Sequence, residues 1–292
     1  MSLTQLFNQK TVFSLEVFPP KKSSPAEAIL PTLKELKSIN PDFISVTLGA
    51  GGTGRDNGTV EIASLIQNDF NTPAVAHIPG LYQTKSQVLD LLDRLEKVSV
   101  TNVLALRGDR IAGKKPAGDF QHANELVSFI KEKRPEFSVC GACYPTCHYD
   151  AANIVEDVKN LKLKVDAGAD HLISQVFFDN NSFYDFREKT QLAGINVPIE
   201  AGIMPCTNRR QIEHIAKIAN VPLPKKFTSV FDRYENDKQA MKQAGIAFAV
   251  DQIIDLVSQG VDGIHLYAMN HADVAKEIWR ETKSIFEATQ KA

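Results

Sequence analysis

The residues of this chain that could do chemistry sit at the ends of short apolar runs. Glu16, Thr47, His77, Arg107, Asp109, Tyr144 and Gln175 each end or follow such a run, and His265 and Tyr267 close another. Glu16 lies within Phe13-Ser14-Leu15-Glu16-Val17-Phe18, where burial among apolar neighbours would raise its pKa and leave it a proton to give. Asp109 follows Arg107 across Gly108. Two carboxylates in unlike surroundings can hold different protonation states, one an acid and one an anion. Any one of these residues reads equally well as a satisfied polar core group or a solvated strand end. Falling together at the same end of their runs, they mark a pocket.

Two other stretches imitate known motifs. Gly49-Ala50-Gly51-Gly52-Thr53-Gly54 fits G-x-G-x-x-G, but the next run ends His77-Ile78-Pro79, without the acidic residue that would hold a ribose. The better reading is a glycine-rich loop that lets the backbone approach a ligand. Cys140-Gly141-Ala142-Cys143-Tyr144-Pro145-Thr146-Cys147-His148 looks like a zinc cluster, yet on a strand Cys140 and Cys143 would face opposite sides. No metal is expected there, and the informative residues are Tyr144 and His148.

The elements that must position these groups alternate eight times between a β-branched or aromatic run and a stretch of helical period. The strands are expected at Val12–Phe18, Phe43–Leu48, Ala74–Ile78, Asn102–Leu106, Ser138–Tyr144, His171–Phe177, Val197–Ile203 and Gly263–Tyr267. Helices are expected at Pro25–Ile39, Thr59–Asp69, Lys85–Val98, Ala123–Lys133, Asn153–Ala167, Ser182–Leu192, Arg209–Ile218 and Asp273–Ala288. Extra helical material, including Asp237–Gln259, precedes the eighth strand. Asn40-Pro41 and Asn71-Thr72-Pro73 punctuate strand entries, and Ala167-Gly168 and Ala193-Gly194 punctuate helix exits. Eight βα units predict an α/β fold, a (β/α)8 TIM barrel filling residues 1–292 as one domain, with a doubly wound sheet as the competitor. In a barrel, alternate strand residues point inward. Glu16 with Ser14, Thr47 with Ser45, His77 with Val75, and Arg107 with Val103 and Ala105 would then share inward sets, joined by Tyr144, Gln175, His265 and Tyr267 at one mouth.

Composition limits what the pocket could serve. The 292 residues carry 33 Lys plus Arg against 35 Asp plus Glu, a net charge of -2, with 43% hydrophobic residues. Such a chain is globular and has no basic field for nucleic acid. Four cysteines make no disulfide scaffold, and no apolar run is long enough to span a bilayer, so a cytoplasmic protein without membrane partners is expected.

On six ordered motifs the sequence resembles the catalytic domain of the methylenetetrahydrofolate reductase family. They are Glu16-Val17-Phe18-Pro19-Pro20-Lys21, Ser45-Val46-Thr47-Leu48-Gly49-Ala50, Ala105-Leu106-Arg107-Gly108-Asp109, Tyr144-Pro145 with His148, Lys164-Val165-Asp166-Ala167-Gly168-Ala169 and Gln175-Val176-Phe177-Phe178-Asp179. The resemblance implies a barrel holding FAD and a ping-pong reaction. NADH or NADPH reduces the flavin, leaves, and is replaced by 5,10-methylenetetrahydrofolate, which becomes the 5-methyl form used for methionine synthesis. It implies Glu16 as the general acid and Asp109 as a charge near the flavin. It implies Thr47, Ala50, His77, Arg107, Gly108, Asp109, Ala123, Tyr144, His148, Ala151, Asp157, Asn160 and Lys164 as the FAD shell, with Arg107 and Lys164 on the pyrophosphate and Asp157 and Asn160 on ribose. Asp157, Asn160 and Lys164 also share one face by helical spacing. Gln175, Gln211, Tyr267 and His271 are implied as substrate contacts.

Four positions depart from the family pattern: Leu48 for a common Tyr, His122 for an aromatic residue, His271 for an Arg and Ile215 for a Phe. Ligand affinities are expected to differ accordingly. The resemblance implies the bacterial form, lacking the eukaryotic regulatory domain, and it leaves a homo-oligomer open. NADH is expected over NADPH, because no Arg cluster is evident for a 2'-phosphate. The alternatives are a flavin-free barrel that binds a pterin or folate and transfers a methyl or other one-carbon unit, and a non-catalytic folate-binding protein.

Overall fold

The computed structural model describes residues 3–20, 24–48 and 56–290. Eight parallel strands close into a barrel in chain order: β1 (Val12–Val17), β2 (Phe43–Val46), β3 (Ala74–Pro79), β4 (Asn102–Leu106), β5 (Ser138–Cys143), β6 (His171–Ser174), β7 (Ile199–Ile203) and β8 (Gly263–Leu266). The helices are α1 (Leu3–Phe7), α2 (Leu30–Lys37), α3 (Asp56–Ser64), α4 (Lys85–Lys97), α5 (Ala123–Lys133), α6 (Ile154–Asp166), α7 (Asn180–Leu192), α8 (Arg209–Ala219), α9 (Lys225–Tyr234), α10 (Lys238–Ser258) and α11 (Ala272–Glu287). The (β/α)8 expectation and the extra helices before the eighth strand, α9 and α10, are both realised.

Turn chemistry supplies much of the regularity. Asn40, Asn71, Gly168 and Gly194 all have positive φ, so the residues that punctuate the sequence are those that adopt the left-handed region at low cost. Strand ends are shorter than periodicity suggests. β6 stops at Ser174, because its ladder to β7 ends at Ile173↔Glu200 and the Ser174 carbonyl accepts instead from the Tyr267 hydroxyl at 2.8 Å.

The alternation of each strand sorts its residues into two cores. Phe13, Leu15 and Val17 of β1 face the helices, and Phe13 packs on Trp279 and Phe286 of α11 with centroids 4.8 and 5.2 Å apart. The barrel floor is Val12, Phe43, Val75, Leu104, Cys140 and Ile173, closed from below by Leu3 and Phe7 of α1. On β4 it is Leu104 and Leu106 that take the inward side, with Val103 and Ala105 in the outer core. Arg107 is therefore not part of an inward strand set, as the alternation had suggested. It reaches the mouth from the residues after β4. Cys140 lies in the floor and Cys143 in the outer core, on opposite faces as expected, and all four cysteines are free.

A third core joins α8, α9 and α10 around Phe227, Phe231, Ile212 and Met241 beside the exit of β7. α10 comes so close here that a Cβ on Gly245 would run into the Cys206 carbonyl. Gly245→Ala should therefore destabilise the fold by about 3 kcal/mol, the upper range for overpacking, despite its better helix propensity. Urea denaturation of the two proteins checks this, with Gly113→Ala, where no atom lies within 4 Å, as the comparison for a positive φ alone.

Candidate active site

The carboxyl ends of the strands open into a cavity of about 440 Å³ with Glu16, His77, Arg107, Gly108, Asp109, Tyr144, His148, Gln175 and Tyr267 in its wall. Six of the strands, β1, β3, β4, β5, β6 and β8, deliver these residues at their last inward position or just beyond. The apolar part of the wall, Phe18, Leu104, Leu106, Ile173, Met204, Ile215 and Met269, is not apparent from motif reading. A signal for Leu104 and Leu106 was present in the alternation of β4.

Glu16 is 8% exposed, and burial pushes its pKa up to about 8. His77 on β3 faces it, with Nε2 3.6 Å from Glu16 Oε2, and burial holds the imidazole down to about 3. At that length the contact is not a hydrogen bond. It is a neutral carboxylic acid beside a neutral ring, with the proton kept by the acid. The loop after Glu16 is tied to the loop after β8 by reciprocal bonds: Phe18 N donates to Asn270 Oδ1 and Asn270 Nδ2 donates to the Phe18 carbonyl, both at 2.9 Å. Nothing in the motif around Glu16 announces Asn270.

After β4 the chain turns at Gly108, whose φ of 88° and 2.9 Å approach of a virtual Cβ to Pro79 both require glycine. The turn carries Arg107 to one side and Asp109, which is exposed, to the rim. Arg107 is engaged by Asp150, to which Nη1 donates, and by the Tyr149 hydroxyl at 2.6 Å. Burial pushes the Tyr144 hydroxyl well up, so it is a neutral donor at the mouth. Its ring meets His148 edge-on with centroids 4.6 Å apart. His148 Nδ1 accepts from Asp150 N at 3.0 Å, and burial together with Arg107 lowers its pKa.

This cavity shares Leu106, Arg107, Ala142, Tyr144 and His148 with a second cleft of about 640 Å³ that runs outward between α5 and α6. Ala123, Ala151, Asp157, Asn160 and Lys164 line that cleft, as do His122 and Arg110. Asp157, Asn160 and Lys164 thus share one face of α6, as their spacing suggests. Asp157 Oδ2 accepts from His148 N at 2.8 Å, and burial raises its pKa. Lys164 donates to the Ala142 carbonyl, and its stem lies so close over β5 that a Cβ on Gly141 would stand 2.7 Å from Lys164 Cδ.

Gln211 and His271 lie apart from the main cavity, in a smaller hollow that shares Met204, Tyr267 and Met269 with it. Thr47 lies just past β2, and its Oγ1 is buried without a hydrogen-bond partner among the described residues. His265 does not reach the mouth. It is wholly buried one pleat below Tyr267. Ala50, Lys21 and the glycine-rich stretch Gly49-Ala50-Gly51-Gly52-Thr53-Gly54 fall outside the described residues. Sequence reading passed over Glu200, a wholly buried carboxyl on the inward side of β7. The signal was its place opposite Ile199, Ala201 and Ile203 in an otherwise apolar strand.

With a buried acid at the strand ends and a charged cleft joined to it, a family model described as "Methylenetetrahydrofolate reductase" matches residues 2–283. The chain belongs to the methylenetetrahydrofolate reductase family. A 5,10-methylenetetrahydrofolate reductase of Pectobacterium carotovorum subsp. carotovorum is 34% identical over 95% of this chain and 91% of its own. A relative in Arabidopsis thaliana, named methylenetetrahydrofolate reductase (NADH) 1, is 32% identical over 89% of this chain and 46% of its longer one. Among solved structures, an uncharacterized Clostridium thermocellum protein described as binding two copies of 5-methyl-5,6,7,8-tetrahydrofolic acid covers 96% of this chain and 98% of its own. Its TM-score is 0.64 at 11% identity, a likeness of fold. Family members are oxidoreductases, and the site must be read as one. Among the described residues no helix is long and apolar enough to cross a membrane.

The raised pKa of Glu16 has a consequence for stability. Its proton is held more tightly folded than unfolded, so its contribution is full below about pH 4.5 and is lost as pH rises to about 8. Glu16→Gln removes this loss. Relative to the wild type, the variant should gain in denaturation midpoint between about pH 5 and about pH 8. Parallel urea titrations at the two pH values would show it, and an unchanged difference would contradict the raised value.

Proposed function

We propose that this protein reduces 5,10-methylenetetrahydrofolate to 5-methyltetrahydrofolate with NADH, using bound FAD and a ping-pong sequence in which reductant and folate take turns at one pocket. The observation that carries the reading is Glu16: a carboxylic acid kept protonated near neutral pH at the bottom of a pocket in a chain of this family. FAD suits the joined clefts on the chemistry of their walls. Arg107 and Lys164 offer cations for a pyrophosphate, Asp157 and Asn160 offer acceptors and donors for hydroxyls, and Thr47 Oγ1 and His77 Nε2 are buried polar atoms without hydrogen-bond partners among the described residues. Thr47, Ala50, His77, Arg107, Gly108, Asp109, Ala123, Tyr144, His148, Ala151, Asp157, Asn160 and Lys164 would hold it. The hydride capacity of the reaction would be supplied by FAD when bound.

The chain's own contribution is proton placement and charge. A methylene bridge between two nitrogens opens only when the leaving nitrogen is protonated. Glu16 gives that proton and becomes a carboxylate, leaving an iminium carbon that accepts hydride and becomes the methyl group. The cation formed is stabilised by the anionic Glu16 and by Asp109 at the rim. The pocket's open mouth then returns a proton to Glu16 for the next turnover. Gln175 and Tyr267 would orient the ring that reacts, and Gln211 and His271 the part of the ligand that extends past β7 and β8. Arg107 would exchange part of its bonding to Asp150 for phosphate oxygens, a geometry its bidentate head permits.

The preference for NADH rests on the lack of an evident Arg cluster for a 2'-phosphate, and the Arabidopsis relative carries NADH in its name. Turnover with NADH should exceed turnover with NADPH at equal concentration, and the reverse order would overturn that part.

The absorption spectrum of the purified protein tests the whole. A flavin spectrum should bleach anaerobically with NADH and recover on adding methylenetetrahydrofolate. A colourless protein that takes up no FAD would favour one-carbon transfer without redox chemistry. In Glu16→Gln, bleaching by NADH should survive while recovery by folate slows roughly 100- to 10,000-fold, the range for loss of a general acid.

A further inference from the structure

Beneath the pocket, inward side chains of four strands form a continuous polar chain. Ser14 Oγ on β1 stands 2.6 Å from Glu200 Oε1 on β7 and 2.6 Å from His265 Nδ1 on β8, and His265 Nε2 lies 3.4 Å from Ser45 Oγ on β2. All four residues are wholly buried. The composition is that of a hydrolytic triad, but the geometry is not. The acid meets the serine instead of the far nitrogen of the imidazole, and none of the three lines the mouth cavity.

Proton counting constrains the chain. The single hydroxyl hydrogen of Ser14 cannot serve both neighbours, so either Glu200 or His265 must donate to Ser14. Burial holds His265 down to about 3, so the ring is neutral. Burial pushes Glu200 well up, and the carboxylates Asp42 and Asp262 on the floor side push in the same direction. Its Oε1 accepts from Ser14, and its Oε2 has no hydrogen-bond partner among the described residues. An uncharged acid, an uncharged imidazole and two hydroxyls satisfy one another without an unpaired interior charge.

The backbone is shaped to admit this chain. β8 is bare at Gly263, where a Cβ would stand 2.8 Å from Glu200 Cγ and 3.2 Å from its Oε1. One pleat higher the relation inverts: β7 is bare at Gly202, where a Cβ would stand 2.7 Å from the ring of Tyr267. Ser14 and Glu16 are successive inward residues of β1, and His265 on β8 is followed two residues on by Tyr267, just past the strand's end. The lower member of each pair is in the polar chain and the upper one is in the pocket wall.

We propose that Glu200 is a positioning residue for the reaction above it: through Ser14 and His265 it fixes the height and direction of Glu16 and Tyr267. The inference rests on the folate reductase reading of that pocket. It locks β1, β8 and β7 against relative slip just below the reacting groups, where a small displacement is most costly.

The test compares Glu200→Ala and Glu200→Gln in FAD-loaded protein. In Glu200→Ala the folate half-reaction should slow roughly 10- to 100-fold at saturating folate, an effect on kcat more than KM, as expected for displaced reacting groups. Bleaching by NADH should be spared, and Glu200→Gln, which keeps a donor and an acceptor for Ser14, should restore most of the rate. An unchanged folate rate in Glu200→Ala, an equal loss in both half-reactions, or a Gln variant as slow as the Ala variant would each overturn the proposal. Infrared spectroscopy of the wild type and Glu200→Gln keeps it testable if the Ala variant does not fold. Protonated-carboxyl absorption should be present at neutral pH in the wild type, and the component due to Glu200 should be lost in the Gln variant while that of Glu16 remains; no difference between them would refute the chain as described. That readout needs neither flavin nor folate, so a protein without reductase activity would sink the functional reading on its own while the band reported separately on Glu200.

Discussion

Closure of β8 onto β1 is the constraint on which the rest depends. The pairing of Val12 with Gly263 through Leu15 with Leu266 makes one interior from eight strands, and thereby fixes which residue of each strand must live inside it. A polar side chain on the inward set has no water to turn to. It must be paired, or uncharged, or at the mouth. Glu16 and His77 meet that condition by being neutral side by side, Glu200 and His265 by sharing Ser14, and the ionised groups Arg107 and Asp150 by lying beyond the last strand residue.

The same condition divides the labour of the site. Depth goes with an uncharged acid that can release a proton, and the rim goes with fixed charge that can hold an anion or favour a cation. Gly108 makes the division possible, since its left-handed turn takes the chain out of β4 and spreads Arg107 and Asp109 at the boundary between the two joined clefts. Glycines elsewhere do similar steric work. Gly141 admits the stem of Lys164, Gly202 the ring of Tyr267 and Gly263 the side chain of Glu200, so the large functional residues are matched by missing Cβ atoms on adjacent strands.

Much of this was legible in the residues. Turn residues that tolerate positive φ stood at Asn40, Asn71, Gly168 and Gly194, and the alternation within β1, β2 and β3 assigned Glu16, Thr47 and His77 to the inward side. The five-residue α1 was not legible, because about one and a half turns carry too little periodicity. Nor was the inward side of β4, where alternation gave two sets and the polar residue Arg107 drew the choice, though Leu104 and Leu106 fill the interior. Asn270 escaped for a different reason: its partner, the Phe18 backbone, is 252 residues away and carries no sequence signature.

The sequence by itself determined the number and order of βα units, the family, and the residue types gathered at one mouth, because these follow from periodicity, turn chemistry and motif spacing along the chain. Only the tertiary structure decided that Glu16 is an acid and not an anion, that Arg107 leans on Asp150, and that Glu200, Ser14 and His265 form one chain under the pocket. Those outcomes depend on burial and on distances between strands far apart in sequence, and neither is written in any local run of residues.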